Sequence, residues 1–208
     1  FSEAVLIENV LDLGRMERGE RSYDRQPQEL DAVVEHGCYA SDITRSFPVN
    51  GCFSKAQRSI YELVLDAQLA ALEEVYPGNG WDAPHQAAVK TLTKGLVKLG
   101  LLKGRPATLI KEQAYRRFYM HRTGHWLGMD VHDVGDYKVG DEWRILEPGM
   151  VMTVEPGIYL SGGRRVPKKW RNIGIRIEDD VAVTSNGPDV LTKGLVRDPD
   201  GIEALMQQ

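Results

Sequence analysis

Two stretches late in the chain, MVMTVEPGIYL over residues 150–160 and IGIRIEDDVAVT over 173–184, constrain the fold most. Both alternate aliphatic and polar residues between Gly and Pro punctuation, so both read as strands. Both also carry carboxylates inside the pattern. In a half-buried strand alternate side chains share a face. Ile173, Ile175 and Ile177 then point one way, and Arg176 and Glu178 the other. Glu155 follows Val151 and Thr153 at two-residue spacing. An unpaired carboxylate in such a setting costs many kcal/mol, so each needs a cation, a set of donors or a proton. The bland alternative is ion pairing, Glu178 with Arg176 or Arg171 and Asp42 with Arg45. Asp179 and Asp180, next along, read as turn or surface acids.

The remaining segments supply helices between strands. Val5, Leu6, Val10, Leu11 and Leu13 suggest a short helix over 1–14, and the polar run 15–30 reads as a loop or poorly ordered segment. From Asp31 to Phe47 the pattern is β-like with a turn around Gly37, which puts Asp42 and Thr44 on one face. Ser54 is placed to cap a helix over about 55–75, with Ile60, Leu63, Val64, Ala67 and Ala71 on its apolar side. Pro77 to Gly80 ends it, and a second helix fits about 83–99, closed by Gly100. Helices in the middle and strands at both ends predict one α/β domain whose sheet gathers distant segments.

Composition narrows the function classes. A chain of 208 residues with 42% hydrophobic content suits one domain with a real core. The net charge of -4 is spread without a basic stripe, which argues against nucleic acid and anionic membranes as partners. No apolar run approaches the roughly 20 residues of a membrane span. The opening Phe1-Ser2-Glu3-Ala4 has no basic n-region, so the chain reads as cytoplasmic; beginning at Phe, it also reads as a fragment or processed form. Cys38 and Cys52 fit reduced thiols in that compartment.

Three of the five histidines, His121, His125 and His132, fall within twelve residues among glycines. Neutral imidazole is both a metal ligand and a proton carrier, so this density points to a site. Spacing does not say which of the three binds metal. His36 and His85 lack such company and read as surface or packing residues. Carboxylates with one imidazole suit Mn²⁺, Co²⁺ or Zn²⁺. Bridging carboxylates permit two ions about 3.5 Å apart sharing a hydroxide, which predicts hydrolysis.

Four segments in order, YASDITRSFPVNG (39–51), HRTGHWLGMDVHDVG (121–135), LEPGMVMTVEPGIYL (146–160) and GIRIEDDVAV (174–183), resemble the pita-bread metallopeptidases. Within them the likeness is closest to the bacterial Xaa-Pro aminopeptidases (aminopeptidase P). The resemblance implies a pita-bread α/β fold, a pseudo-symmetric curved antiparallel sheet flanked by helices, with residues 31–208 as the catalytic domain and 1–30 as a divergent or incomplete segment. It implies two divalent ions, usually Mn²⁺, on Asp31, Asp42, His125, Glu155 and Glu178. The substrate would be a peptide with proline in second position, cleaved before the proline. His121 and His132 would hold the substrate and its tetrahedral intermediate, Tyr159 would line the site, and Glu155 would also move a proton. Arg176 would orient neighbouring ligands. Members commonly self-associate, so a homo-oligomer is implied.

The N-terminal part departs from the family pattern. Pro27-Gln28-Glu29-Leu30 precedes Asp31 where an apolar run is usual, and Val33 stands where glycine is usual. Asp31 is therefore placed by spacing alone, eleven residues before Asp42. Two other readings share these residues: a prolidase-type Xaa-Pro dipeptidase, and an impaired or truncated homologue acting as a binding domain.

Overall fold

The computed structural model describes residues 27–163 and 166–207, so the expected helix over 1–14 and most of the polar run after it lie outside the described residues. Residues 27–30, the end of that polar run, are not loop. They open strand β1 (Pro27–His36), which pairs antiparallel with β2 (Tyr39–Pro48) along its full length. Gly37 and Cys38 both take positive φ, 60° and 66°, the requirement of a two-residue hairpin turn. This register sets Asp31 opposite Thr44 and Val33 opposite Asp42. β2 is buried on both faces from Ser41 on, whereas β1 is exposed from Val33 to its end.

Helix α1 (Lys55–Leu72) starts where Ser54 predicts. The Ser54 side chain accepts from the Gln57 N–H and the Gln57 side chain accepts from the Ser54 N–H, a complete capping box worth about 1 kcal/mol. Ile60, Val64, Ala67 and Ala71 on its apolar face are fully buried. Helix α2 (Ala83–Lys98) lies against it, and Gly100 ends α2 at φ 75°. Gly95 permits the close approach, because a Cβ there would fall 2.1 Å from Leu63 Cδ1. A short α3 (Pro106–Lys111) follows, and α4 (Pro199–Leu205) closes the chain against α1 and β2. Among the described residues no helix is long and apolar enough to cross a membrane, and Cys38 and Cys52 are free.

The late strands are broken where sequence alternation reads them as continuous. After the two-residue pair β3 (Lys138–Val139) and β4 (Glu142–Trp143) come β5 (Val151–Val154), β6 (Gly157–Leu160), β7 (Ile173–Arg176), β8 (Asp179–Thr184) and β9 (Gly187–Val190). β5 pairs with β8, which pairs with β9; β6 pairs with β7. One register runs through both ladders, with Val154 opposite Asp179 and Gly157 opposite Arg176. The interruption therefore falls at Glu155 and Glu178, which stand opposite each other. Pro156 lacks a donor for the ladder, and like charges facing across strands oppose regular pairing. The isoleucines behave as alternation predicts: Ile173, Ile175 and Ile177 are all buried.

Asp179 and Asp180 correct the sequence reading. They are 0% and 3% exposed, not surface acids. Asp179 accepts from Arg45 Nη2 at 2.7 Å, Thr192 Oγ1 at 2.7 Å, Gln68 Nε2 at 3.0 Å and Arg197 Nη1 at 3.2 Å. It thus ties β2, α1 and the C-terminal segment to β8. Arg45, the partner that the bland reading gave to Asp42, is committed here instead. Breaking a buried pair by removing one member leaves an uncompensated charge, so Asp179→Ala is expected to cost about 3–5 kcal/mol in a urea or guanidinium unfolding titration. A loss under about 1 kcal/mol would show that the cluster does not hold these elements together.

Candidate metal centre

The site is assembled by four segments laid side by side. The histidine loop runs antiparallel to β5: Leu127 N–H donates to Val151 O, Thr153 N–H to His125 O and Glu155 N–H to Thr123 O, at 3.2, 3.0 and 2.7 Å. Gly124 allows this approach, since a Cβ there would lie 2.1 Å from the Thr153 carbonyl oxygen. On the other side β2 meets the β7–β8 break, where Glu178 N–H donates to Thr44 O at 3.1 Å. Residues 42, 125, 155 and 178, far apart in sequence, are brought together in this way, and the β1–β2 register brings Asp31 alongside.

All five residues expected as ligands converge. One ligand atom each from Asp31, Asp42 and Glu178, and likewise from His125, Glu155 and Glu178, lie within 4.8 Å of one another. A third group of the same kind is Asp42, His125 and His132, so His132 stands at the centre's edge. Asp42, His125 and Glu178 are buried, while Asp31 keeps about half its side chain exposed.

The donors suit a cation. His125 Nδ1–H donates to the Trp126 carbonyl at 2.9 Å, which fixes the tautomer and leaves the Nε2 lone pair pointing inward. Nε2 then faces Asp42 Oδ2 at 3.3 Å and Glu155 Oε1 at 3.7 Å. A lone pair facing carboxylate oxygens requires a proton or a metal ion between them. Asp42 Oδ1 is buried with no hydrogen-bond donor among the described residues. Oxygen-rich donors with one imidazole match Mn²⁺, Co²⁺ or Zn²⁺.

Without a cation, charge accumulates and the site takes up protons. Burial, then the unfavourable charges of Asp42 and Asp31, outweighs His125 and Arg176 and lifts Glu155 to about 7. Burial and the charges of Glu155 and Asp42 lift Glu178 to about 8. Burial alone would lower His125, but its bonds to Asp42 and Trp126 and the charge of Glu155 carry it to about 9. Burial also raises Asp31.

Several residues around the centre hold it in place. Thr44, absent from the sequence-based site, donates to Glu178 Oε2 at 2.5 Å and lies 3.2 Å from Asp31 Oδ1. Its hydroxyl accepts from Arg176 Nε at 3.0 Å. A hydroxyl has one proton, so Glu178 receives it and the contact with Asp31 is the weaker one. Two-residue spacing from Asp42 was the available signal for Thr44. Arg176 Nη2 donates to Asp31 Oδ2 at 2.9 Å, which ties the exposed aspartate to the buried ones. His121 Nε2 pairs with the Tyr159 hydroxyl at 2.9 Å and Nδ1 with the Arg122 carbonyl at 2.7 Å. His85 is the packing residue expected: it is buried, its Nδ1 is 2.8 Å from Thr123 Oγ1, and burial lowers it to about 4, so it stays neutral. His36 is exposed. A cavity of about 800 Å³ opens from the centre, with His121, His125, His132, Glu155 and Arg176 on its near side.

The chain resembles known proteins in sequence and fold. Residues 20–185 match the model of metallopeptidase family M24. The chain belongs to that family. This M24 chain is 54% identical over 177 residues to the Xaa-Pro aminopeptidase of Haemophilus influenzae, covering 85% of this chain and 41% of that protein. It is 51% identical to the Xaa-Pro aminopeptidase of Escherichia coli, covering 85% and 40%. Among solved structures it matches Pseudomonas aeruginosa aminopeptidase PepP with a TM-score of 0.85 at 60% identity, covering 86% of this chain and 41% of that one. Zn-substituted E. coli aminopeptidase P in complex with product matches with a TM-score of 0.83 at 50% identity, covering 86% and 40%. The M24 chain therefore has the mixed α/β pita-bread architecture that its motifs resemble. It spans about two fifths of the length of these relatives.

Proposed function

We propose that the chain forms the catalytic portion, residues 31–208, of a metal-dependent exopeptidase that hydrolyses the bond between an N-terminal residue and a following proline. The observation that carries this reading is the His125 Nε2 lone pair, fixed by the Trp126 carbonyl and aimed at Asp42 and Glu155. The names of the relatives supply the substrate class. Asp31, Asp42, His125, Glu155 and Glu178 would hold two divalent ions, Mn²⁺ foremost, with Co²⁺ and Zn²⁺ equally compatible with the donors. When bound, such a pair polarises a peptide carbonyl and activates water.

The chain's own residues do the rest. Glu155 presents one oxygen to His125 at 3.7 Å and the other to His121 at 3.9 Å, which suits it to carry a proton toward the departing proline nitrogen. His121, on the cleft wall, is held by the Tyr159 hydroxyl and positions the peptide. His132, exposed beside His125 with ring centroids 4.4 Å apart, faces the substrate side and steadies charge that develops on the carbonyl oxygen. Arg176 keeps Asp31 in the cluster through its 2.9 Å contact.

Ala-Pro-Gly compared with Ala-Pro is the direct test. Cleavage of the tripeptide is expected, stopped by a strong chelator and restored by Mn²⁺. Cleavage confined to the dipeptide would replace this reading with a prolidase-type one, and hydrolysis that survives metal removal would overturn the metal-dependent mechanism.

A further inference from the structure

The cleft lining also carries groups that the metal centre does not use. Trp143, on the short β3–β4 hairpin, has two cations against its ring: Arg122 Cζ at 4.8 Å and Lys138 Nζ at 4.7 Å from the centroid. Lys138 pairs with Trp143 across the hairpin, which keeps ammonium and indole together. Both line the same cavity as Glu155 and His121. The two cations differ in their commitments. Arg122 is ion-paired with Asp82. Arg176, the remaining cation of the cavity, is engaged by Asp31 at 2.9 Å and lies 3.8 Å from Glu178. Lys138 is exposed and has no ion pair among the described residues.

Of the two cations held against the indole, only Arg122 has a carboxylate partner. A negative group arriving beside Lys138 therefore pairs with it without having to displace a partner. A cavity of about 800 Å³ is roughly 9–12 Å across, about three residues of extended chain at about 3.3–3.6 Å each. A peptide with its scissile bond at the metal centre therefore has its second or third residue after the cut within reach of the rest of the cavity lining, Lys138 included.

We propose that Lys138, seated on Trp143, is a subsite for a carboxylate on the leaving part of the peptide. The inference rests on the peptidase reading above and extends it to the class of peptide preferred: short peptides with a free C-terminus, or longer ones with an acidic residue at that place.

The test compares Ala-Pro-Gly with its C-terminal amide, and adds Ala-Pro-Glu amide to separate a terminal carboxylate from a side-chain one. For an exposed ion pair the expected preference is about three- to fivefold in kcat/KM, carried by KM and reduced by 1 M salt. Lys138→Met is expected to remove the preference and leave cleavage of Ala-Pro-Gly amide unchanged; Lys138→Arg is expected to keep it. An equal effect of Lys138→Met on acid and amide, or no preference in the unaltered protein, would overturn the subsite. Cleavage of the amide by itself upholds the peptidase reading whatever Lys138 does. If no peptide is cleaved, that reading fails. Calorimetric binding of the acid and amide to the Mn²⁺-supplemented protein then decides the subsite: an acid preference abolished by Lys138→Met supports it, and equal or undetectable binding refutes it.

Discussion

Glu178→Ala is expected to lower Ala-Pro-Gly turnover by about a thousandfold or more and to leave the purified protein short of metal. Glu178 belongs to both the His125–Glu155 group and the Asp31–Asp42 group, so its removal strips a donor from each. A metal ion contributes several kcal/mol of charge stabilisation, and each 1.36 kcal/mol is tenfold in rate. The fold should survive, because Ile175, Ile177 and Asp179 keep their buried contacts on either side. Glu178→Gln is the sharper variant. It keeps the volume and an acceptor for the Thr44 hydroxyl but removes the charge. It too should lose metal and turnover. Full turnover in either variant would remove Glu178 from the centre.

The metal-free protein is expected to lose on the order of 3–5 kcal/mol of stability between pH 6.5 and 8.5. Glu155, Glu178 and Asp180 lie at about 7, 8 and 7 in the folded chain, above their ordinary values, because burial penalises the charged form. In this window the folded state still holds protons that the unfolded chain has already released, so stability falls as pH rises. His125, lifted to about 9, acts in the same direction: the stability it contributes is present in full below its unfolded value of 6.5 and is lost as pH climbs through 9. His85, lowered to about 4, has the opposite sign, but its contribution changes only below about 6.5, outside the window. Metal should reverse the slope, since it binds the deprotonated ligands and binds them better as pH rises. Thermal melts with chelator and with Mn²⁺ across this range check both signs. A metal-free melting temperature that stays level or rises from pH 6.5 to 8.5 would show that the carboxylates are not compressed as described.

What was legible in the sequence was what local rules decide. Ser54 announced the start of α1 because a helix cap involves only neighbours. The isoleucines of β7 announced their face because a strand has a period of two. What was not legible depends on partners far away along the chain. Asp179 looks like a turn acid until Arg45, 134 residues earlier, and Gln68, 111 residues earlier, are brought to it. Asp180 likewise is buried against the Asp42 N–H, at 3.2 Å from Oδ2. The breaks at Glu155 and Glu178 could not be seen from either strand alone, since they arise where two carboxylates face each other across the ladder. The histidine density marked the site, but His125 was distinguished only by the family motif. In the fold the Trp126 carbonyl distinguishes it, by fixing which nitrogen faces inward. Asp31, placed by spacing alone, reaches the cluster because β1 begins earlier than its polar residues suggest and because Arg176 holds it there.

The proposed function requires five side chains from four distant segments to hold two metal ions that act on an Xaa-Pro bond. Elemental analysis of the purified protein, run beside Ala-Pro-Gly cleavage on the same sample, tests it most directly. Two equivalents of a divalent ion per chain are expected, with cleavage that falls in step as chelation removes them. Undiminished cleavage at one equivalent or none would contradict it.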